Sequence, residues 1–408
     1  MLSVVFVTKA QDSLSIDART YQLYQDKNWN ELIKVGKKES KKGNGFFYLE
    51  MRIGIAYYEK KNYCLAENYF RKALRYNSTD ELALEYLYYC YVFTGKNEAA
   101  RMLGRSFSKE LAEKTGVAKQ KEVAFVILEG GTKIADSSSY YDKSKKSESN
   151  YFDPATYAHI GLNHYVKNRI SLFHAATYYK QSNFIGTIKQ SQYYLGASIP
   201  AKKNWLFMPA IHYIHLNFTS QVTVIAASVA PMPGQPPPRR SITTTTSDNY
   251  IVGALTAQKK WNRFNFALGS TFSNMSNVNQ FLHNLFVSYS PFGNSKLVLG
   301  STCYAHTVDS YSTIDWSSVS FIYIQPVKAL SIKASYLMNN NHNIIEDNGY
   351  IVNNSPDLTK QRGSVLVNVN LTKHLSLYGL YQLEFKQESV QKFNYRYNVL
   401  LGGIKIIP

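Results

Sequence analysis

The sequence predicts an α + β protein of two parts, in which N-terminal helical repeats precede a C-terminal antiparallel transmembrane β-barrel. Three observations favour this fold class. A 34-residue helical pattern occurs near the N-terminus, apolar and polar residues alternate over most of the remaining chain, and short turns alternate with long polar insertions. At 408 residues the chain is long enough for at least two domains.

The helical part begins after a short apolar N-terminus. Leu2 to Val7 is apolar and is followed by Ala10, which predicts the end of a truncated signal peptide over residues 1–11. A packed or disordered N-terminus is the alternative. We expect a helical repeat domain over residues 14–116 and the barrel over 118–408, because the period of the apolar residues changes from 3.6 to 2 after Gly116.

Residues 47–80 contain one well-marked helix-turn-helix unit. Large and small residues recur at the positions of such a unit, namely Ile53, Gly54, Tyr57, Tyr63, Ala66, Phe70 and Ala73. This spacing resembles the tetratricopeptide repeat, and degenerate copies lie 34 residues to either side. Three units are about the minimum for a stable stack. The resemblance implies a protein-binding groove, for which the candidates are Tyr57, Asn62, Tyr88 and Tyr91; packing within the stack is the alternative role.

The alternating part of the chain predicts about fourteen strands, with twelve or sixteen as alternatives. We expect them near residues 121–136, 154–166, 169–180, 186–199, 204–218, 248–259, 263–275, 280–290, 296–308, 314–325, 329–339, 362–371, 375–388 and 394–406. The connections between strands alternate in kind along the chain. One set consists of short turns, and the other includes long polar insertions at 137–153, 219–247 and 340–361. Outer-membrane barrels are built in this way, with both chain ends at the rim of the short turns when the strand number is even.

The proline-rich segment 231–240 and the threonine run 243–246 are predicted to lie in the longest outer loop. Proline lacks the amide donor that a sheet needs, and a run of prolines favours an extended, hydrated form.

Each strand has one apolar and one polar face. Outward positions are predicted at Leu330 to Met338 and Val365 to Leu371 on alternate residues, and at Tyr395, Tyr397, Val399 and Leu401 in the last strand. The predicted lumen-lining residues are Lys333, Asn368, Asn370, Gln382, Glu384, Lys386, Asn394, Arg396 and Asn398. A soluble sandwich would show the same alternation but not the alternating turn lengths, so a barrel is favoured.

Composition supports a membrane barrel. Aromatic residues make up 14% of the chain and charged residues only 18%, whereas soluble domains carry about a quarter charged residues. No run of about 18 apolar residues occurs. The net charge of +18 is compatible with anionic lipid or an anionic polysaccharide as partner. No nucleic-acid-binding motif is present, and the three cysteines, Cys64, Cys90 and Cys303, have no metal-ligand spacing.

No residue pattern predicts an enzyme, a cofactor or a metal site. His212 and His215 are three apart on a strand and so point to opposite faces, as do His159 and His164. Asp136, Asp142 and Asp153 lie in or beside a Ser/Lys-rich loop, where solvated charge is the ordinary explanation. A catalytic elbow or phosphate-binding glycine loop is also lacking.

With the repeat around Gly54, Ala66 and Phe70 and the strands through Leu401, the chain resembles the YaiO-type outer-membrane β-barrel proteins. The resemblance implies the outer membrane of a Gram-negative bacterium, with the repeats in the periplasm. A looser similarity to exopolysaccharide exporters implies a conduit for polysaccharide or polar solutes. The alternative function is a membrane-anchored scaffold whose repeats recruit a periplasmic protein.

Overall fold

The computed structural model describes residues 16–135, 153–167, 169–182, 186–225, 239–308, 314–339, 343–354, 357–387 and 394–408. The predicted signal peptide at 1–11, Asp136, Asp142 and most of the proline-rich segment lie outside the described residues.

Seven α-helices precede the barrel within residues 16–122. They are α1 (residues 16–25), α2 (Trp29–Lys41), α3 (Phe47–Glu59), α4 (Tyr63–Tyr76), α5 (Glu81–Phe93), α6 (Asn97–Gly104) and α7 (Lys109–Thr115). Helices α2, α4 and α6 begin 34 residues apart, and α3 and α5 do so too, as the sequence period predicts. No helix among the described residues is long and apolar enough to cross a membrane.

Local sequence explains where these helices begin and how they pack. The side chains of Asn62, Asp80 and Ser108 accept hydrogen bonds from amides in the first turns of α4, α5 and α7, respectively. Gly54 of α3 faces Phe70 of α4 so closely that a Cβ atom at residue 54 would lie 2.7 Å from the ring. The small residue of the repeat pattern therefore sets the distance between neighbouring helices.

The predicted fold class is confirmed, because a closed antiparallel barrel of 14 strands follows the helices. The strands are β1 (Val123–Ala135), β2 (Ala155–Val166), β3 (Ile170–Ser182), β4 (Gly186–Ala201), β5 (Trp205–Ile225), β6 (Arg239–Trp261), β7 (Phe264–Ser273), β8 (Gln280–Tyr289), β9 (Leu297–Val308), β10 (Asp315–Val327), β11 (Leu330–Met338), β12 (Asn343–Glu346), β13 (Ile351–Asn354), β14 (Leu358–Asn370), β15 (Leu375–Gln387) and β16 (Asn394–Ile406). Consecutive strands pair, β11 pairs with β14, and β1 pairs with β16 to close the barrel; β12 and β13 form a separate hairpin.

The outward face is apolar, as alternation predicts for most strands. Tyr336 and Met338 of β11 and Val365 and Val369 of β14 are exposed on the outside. The last strand is the exception. Its pairing sets Tyr397 opposite Glu384 and Tyr395 opposite Lys386, and directly opposed residues share a face.

The predicted parity of β16 is therefore reversed. Both tyrosines are buried inside the barrel, and Val399 and Leu401 follow them on the inner face. The outward face carries Asn394, Arg396 and Asn398 at the start of the strand and Leu400, Ile404 and Ile406 further along, so the alternation over the first residues of β16 indicated the wrong face.

Two of the predicted outer loops are partly sheet. Strands β5 and β6, of 21 and 23 residues, pair as far as Ile225 and Arg239, so that the threonine run 243–246 lies within β6 and not in a loop. Proline is absent from this part of β6, and the β-branched threonines favour a strand. The insertion 340–361 is also not an outer loop, because it contains the β12–β13 hairpin, which folds into the barrel.

Aromatic side chains are exposed at two levels on the outside of the barrel. Trp205, Trp261 and Phe264 are exposed at the rim of the short turns, and Tyr213, Tyr336 and Tyr381 are exposed further from that rim along their strands. Eight residues separate Trp205 from Tyr213, which at about 3.3 Å per residue and a strand tilt of about 40° is a height of about 20 Å. These two belts bound an apolar zone that is somewhat shorter than the band of about 25 Å typical of outer-membrane barrels.

The helical domain is attached to the rim of the short turns. The backbone amide of Cys64 donates to the carbonyl of Gly293 (3.0 Å), and the side-chain amide of Asn294 donates to the carbonyl of Lys61 (3.0 Å). Further along this rim, the ammonium of Lys260 donates to the carbonyl of Gly95 (2.9 Å). The helices therefore contact the turns after β6 and β8 directly.

Candidate functional site

The β12–β13 hairpin is the most informative feature of the barrel interior. Residues 347–349 form its tip, where Asp347, Asn348 and Gly349 all have positive φ. Asn-Gly between apolar residues is a strong hairpin signal, because both residue types tolerate the left-handed conformation. We call residues 343–354 the plug.

Hydrogen bonds fix the tip of the plug to three strands of the barrel wall. The hydroxyl of Thr256 in β6 donates to the Asn348 side chain (2.7 Å), and the Tyr350 hydroxyl pairs with Nε2 of His159 in β2 (2.8 Å). On β5, Nδ1 of His212 lies 2.8 Å from the Gly349 carbonyl. The tip is thus anchored to β2, β5 and β6.

Apolar and charged contacts hold the rest of the plug. Ile345 packs into a buried cluster on the inner wall that includes Ile214, Val252 and Leu282. The guanidinium of Arg362 lies 2.7 Å from the carboxylate of Glu346, and both side chains are buried. Apolar residues on the inner face of β5, β6 and β8, which would be costly in a water-filled pore, have the plug as their partner.

A cavity of about 420 Å³ remains between the plug and the wall, and we call it the lumenal chamber. Its lining is dominated by tyrosines and amides: Tyr157, Tyr179, Tyr250, Tyr350, Tyr395, Tyr397, Gln181, Gln190, Gln192, Asn353, Lys133, Lys386, His159, Thr177, Asp357, Ser276, Ile188, Leu216, Ile351 and Val352. Lys133, Lys386 and Tyr395 lie within two residues of the strand ends on the side of the long insertions. The chamber therefore occupies that half of the barrel.

Charged groups in the chamber are organised around one tyrosine. The Lys133 ammonium lies 2.7 Å from the Glu384 carboxylate and 4.4 Å from the centre of the Tyr397 ring. Lys386 lies 5.9 Å from the same ring, and the Tyr395 hydroxyl donates to Asp357. The chamber thus presents ring faces, hydroxyls and amides beside the Lys133–Glu384 ion pair.

The predicted lumen-lining residues fall into two groups. Lys333, Asn368, Asn370, Gln382, Glu384 and Lys386 lie on the inward parity of β11, β14 and β15, and Lys386 also lines the chamber. Asn394, Arg396 and Asn398 lie on the outward parity of β16, opposite to the expectation. Their strand pairs with β15 in a register that the sequence pattern did not reveal.

The four predicted groove residues do not form an open groove. Tyr57, Tyr88 and Tyr91 are buried in the helical core, and Asn62 is a buried cap of α4 that contacts the Gly293 turn. Burial raises the pKa of the Tyr91 hydroxyl. These residues pack the helices or attach them to the barrel, which was the alternative role.

The histidines lie as strand geometry requires. His212 is buried against the plug, whereas His215 bonds to Asn249 on the outer face. His159 faces the plug, and His164 stacks on His174 outside. No group of three or more metal-ligating side chains occurs among the described residues.

Sequence reasoning missed the plug and the tyrosines of the chamber. The Asp347-Asn348-Gly349 tip between Ile344-Ile345 and Ile351-Val352 was the available signal for the plug. Tyr157, Tyr179 and Tyr397 had no such signal, because inward and outward tyrosines look alike in a sequence.

The chain matches no family model and no curated protein. Among solved structures it is similar to the Pseudomonas putida toluene transporter TodX, with 7% identity, a TM-score of 0.47, and coverage of 74% of this chain and 95% of that chain. A FadL homologue from Pseudomonas aeruginosa gives 9% identity, a TM-score of 0.42, and coverage of 70% of this chain and 90% of that chain. The translocator domain of the autotransporter NalP from Neisseria meningitidis gives 9% identity, a TM-score of 0.33, and coverage of 78% of this chain and 99% of that chain. At these identities the likeness is limited to the fold.

The chain's own geometry gives the class. An even number of antiparallel strands, a closed sheet, an apolar exterior between two aromatic belts and a polar interior together are the architecture of an outer-membrane β-barrel. The YaiO-type resemblance and the tetratricopeptide assignment stay predictions.

Proposed function

We propose that this protein is an outer-membrane conduit for hydroxyl-rich polar solutes, with polysaccharide as the favoured cargo. The lumenal chamber is the observation that supports this most directly. Tyrosine ring faces provide apolar platforms for the C–H faces of sugar rings, and glutamine and asparagine amides offer donors and acceptors for sugar hydroxyls. A volume of about 420 Å³ is in the range of small-ligand sites.

The plug supports a conduit that is closed in the present conformation. Among the described residues it is held by hydrogen bonds, the Glu346–Arg362 ion pair, the apolar cluster around Ile345 and ring contacts of Tyr350, all of which join it to the wall of the same barrel. Displacing it would join the lumenal chamber to the half of the barrel beneath it. Opening would then mean movement of the plug, with the 14-stranded wall unchanged.

The proposed orientation places the helical domain in the periplasm. Short turns face the periplasm in outer-membrane barrels, and the helices contact those turns. An epitope inserted within residues 226–238 should then be accessible on intact cells, while one on the helical domain should not be. The reverse labelling pattern would refute this orientation without bearing on conduction.

A planar-bilayer experiment tests conduction. The amide of Asn339 donates to the carbonyl of Lys360 (2.9 Å), so the strand ends flanking the plug are adjacent. A short Gly/Ser linker can therefore replace residues 340–356. We expect little current from the natural chain and a large steady current from the plug-deleted chain, reduced by added oligosaccharide. A plug-deleted chain that inserts but passes no current would contradict the proposal.

The scaffold function remains the alternative, with a periplasmic protein as partner. None of its four candidate groove residues is exposed for such a partner. Deleting residues 14–115 would discriminate between the two functions, since a plug-deleted conduit should still conduct without them and a scaffold should lose its partner.

A further inference from the structure

A second cavity, of about 440 Å³, lies where the helical domain meets the barrel, and we call it the junction cavity. Helices α4 to α6 form one wall. The β4–β5 turn, the start of β5 and the end of β6 form the other. It lies at the rim of the short turns, where Leu206, Gln258 and Lys260 belong to the inward face of β5 and β6 and Trp205 belongs to the outward face.

One part of the junction cavity is cationic. Arg71, Lys96, Lys202 and Lys260 line it, and Glu98 is the one carboxylate among its lining residues. Lys96 also pairs with the buried carboxylate of Glu67 (2.5 Å), which lies behind the lining. Even with both carboxylates counted, positive charge is in excess, so the cavity favours an anionic group.

The other part of the junction cavity is apolar. Met102 and Leu103 of α6 face Trp205 and Leu206, the first two residues of β5. Trp205 belongs to the aromatic belt on the outside of the barrel, and the Lys259 ammonium lies 5.0 Å from its ring centre. A tryptophan and a lysine at this height are typical of the level of lipid headgroups.

We propose that the junction cavity binds an anionic phospholipid of the surrounding leaflet. Its phosphate lies among Arg71, Lys96, Lys202 and Lys260, and its acyl chains leave along Trp205 into the bilayer. The bound lipid joins the helical domain to the barrel, because Arg71 and Lys96 belong to one and Lys202 and Lys260 to the other. This inference depends on membrane insertion and is independent of conduction.

Trp205 provides the probe. Replacing Trp29, Trp261 and Trp316 by Phe leaves Trp205 as the single tryptophan of the full chain. The protein is purified in a neutral detergent and titrated with phosphatidylglycerol or phosphatidylcholine brominated in the acyl chains, and quenching of Trp205 is measured. We expect saturable quenching by phosphatidylglycerol at a half-saturating lipid fraction about ten-fold below that of phosphatidylcholine.

The variant R71Q/K202Q should raise that half-saturating fraction about ten-fold, because two phosphate ligands are lost. The matched control K34Q/K38Q removes two charges from the exposed face of α2 and should leave the half-saturating lipid fraction unchanged. Thermal melting checks that both variants are folded, and the single variant K202Q replaces the double one if it is not.

Three results would overturn the proposal. These are equal quenching by the two lipids, an effect of K34Q/K38Q as large as that of R71Q/K202Q, and release of the brominated lipid by millimolar inorganic phosphate. The last result would show that the cavity recognises a soluble phosphate and not a lipid.

Discussion

Nδ1 of His212 donates a hydrogen bond to the carbonyl oxygen of Gly349, at 2.8 Å, and so joins the wall of the barrel to the tip of the plug. The carbonyl can only accept, so Nδ1 carries the proton. Gly349 has φ +84, and a Cβ atom there would lie 3.3 Å from Cβ of Ala254. The plug tip therefore fits a site on the wall that accepts glycine and disfavours larger residues.

Removing one hydrogen bond at the plug tip should increase opening of the conduit. The variants T256V and Y350F each delete a hydroxyl that bonds across the plug interface. A buried neutral hydrogen bond contributes about 1 kcal/mol, so each variant should raise the open probability about five-fold in bilayer recordings. The control Y381F deletes a hydroxyl that bonds to Asn398 on the outer face and should leave opening unchanged. Equal effects of all three variants would argue against a gating role for the plug.

Replacing Gly293 should loosen the attachment of the helical domain. A Cβ atom at residue 293 would lie 2.0 Å from Oδ1 of Asn62, and the φ of +68 disfavours any L residue. The variant G293A should therefore expose the linker around Lys119 and Lys121, and trypsin should cleave there about ten-fold faster, the rate following the population of the detached state.

The variant G43A is a matched control for backbone strain. Gly43 has φ +88, but nothing lies within 4 Å of a Cβ placed there. The variant G43A should lower the free energy of unfolding only by the strain of the left-handed conformation, about 1 kcal/mol. Should G43A accelerate cleavage of the linker as much as G293A does, close contact with Asn62 would not explain the attachment.

The buried pair of Glu67 and Lys96 should be sensitive to loss of one partner. Glu67 also accepts from the Asn204 amide of the barrel (2.7 Å), so its carboxylate serves both domains. The variant E67Q leaves a buried ammonium without its counter-charge and should destabilise the helical domain by about 3 kcal/mol in chemical denaturation. The exposed pair of Glu85 and Lys114 is the comparison, and E85Q should cost at most about 1 kcal/mol.

Thiol labelling should separate the three cysteines. Burial raises the pKa of the Cys64 thiol to about 11 and that of Cys90 well above its usual value. The reactive thiolate of Cys64 is therefore about one part in a thousand at pH 8 and increases about ten-fold per pH unit towards pH 11. Cys303 is exposed on the outer face of β9.

In a bilayer, an apolar maleimide should label Cys303 and a charged one should not, because lipid covers that face. Mass spectrometry of the labelled peptides measures the extent of labelling by each reagent. Rapid labelling of Cys303 by the charged reagent would contradict its contact with lipid, and unfolding should make all three thiols reactive.

The sequence predicted what depends on local periodicity. The 34-residue spacing of Gly54, Ala66 and Phe70 located the helical unit, and the period of two located the fourteen barrel strands. The short turns and alternating faces were then sufficient to predict a barrel. The polar face of a strand was assigned to the interior because a charged residue such as Lys333 or Glu384 would face lipid at a cost of about 2–4 kcal/mol.

What the sequence did not reveal depends on pairing register and on long-range contact. Tyr395 and Tyr397 were expected outside because Asn394, Arg396 and Asn398 occupy the other parity of the strand, and their inner position follows from pairing with Lys386 and Glu384. The plug was read as an outer loop because its partners, His159, His212 and Thr256, are about 90 to 190 residues away in the chain. No local pattern records such contacts.

The pairing of β1 with β16 has a consequence for assembly. Val126 lies opposite Ile406, so the seam joins the first and last strands of the sheet, while the helices ahead of it contact one another over a few tens of residues. Short-range contacts form quickly and distant ones slowly. The helical unit should thus be complete while the sheet is still an open ribbon, and sealing of the cylinder should be the slow final event of biogenesis.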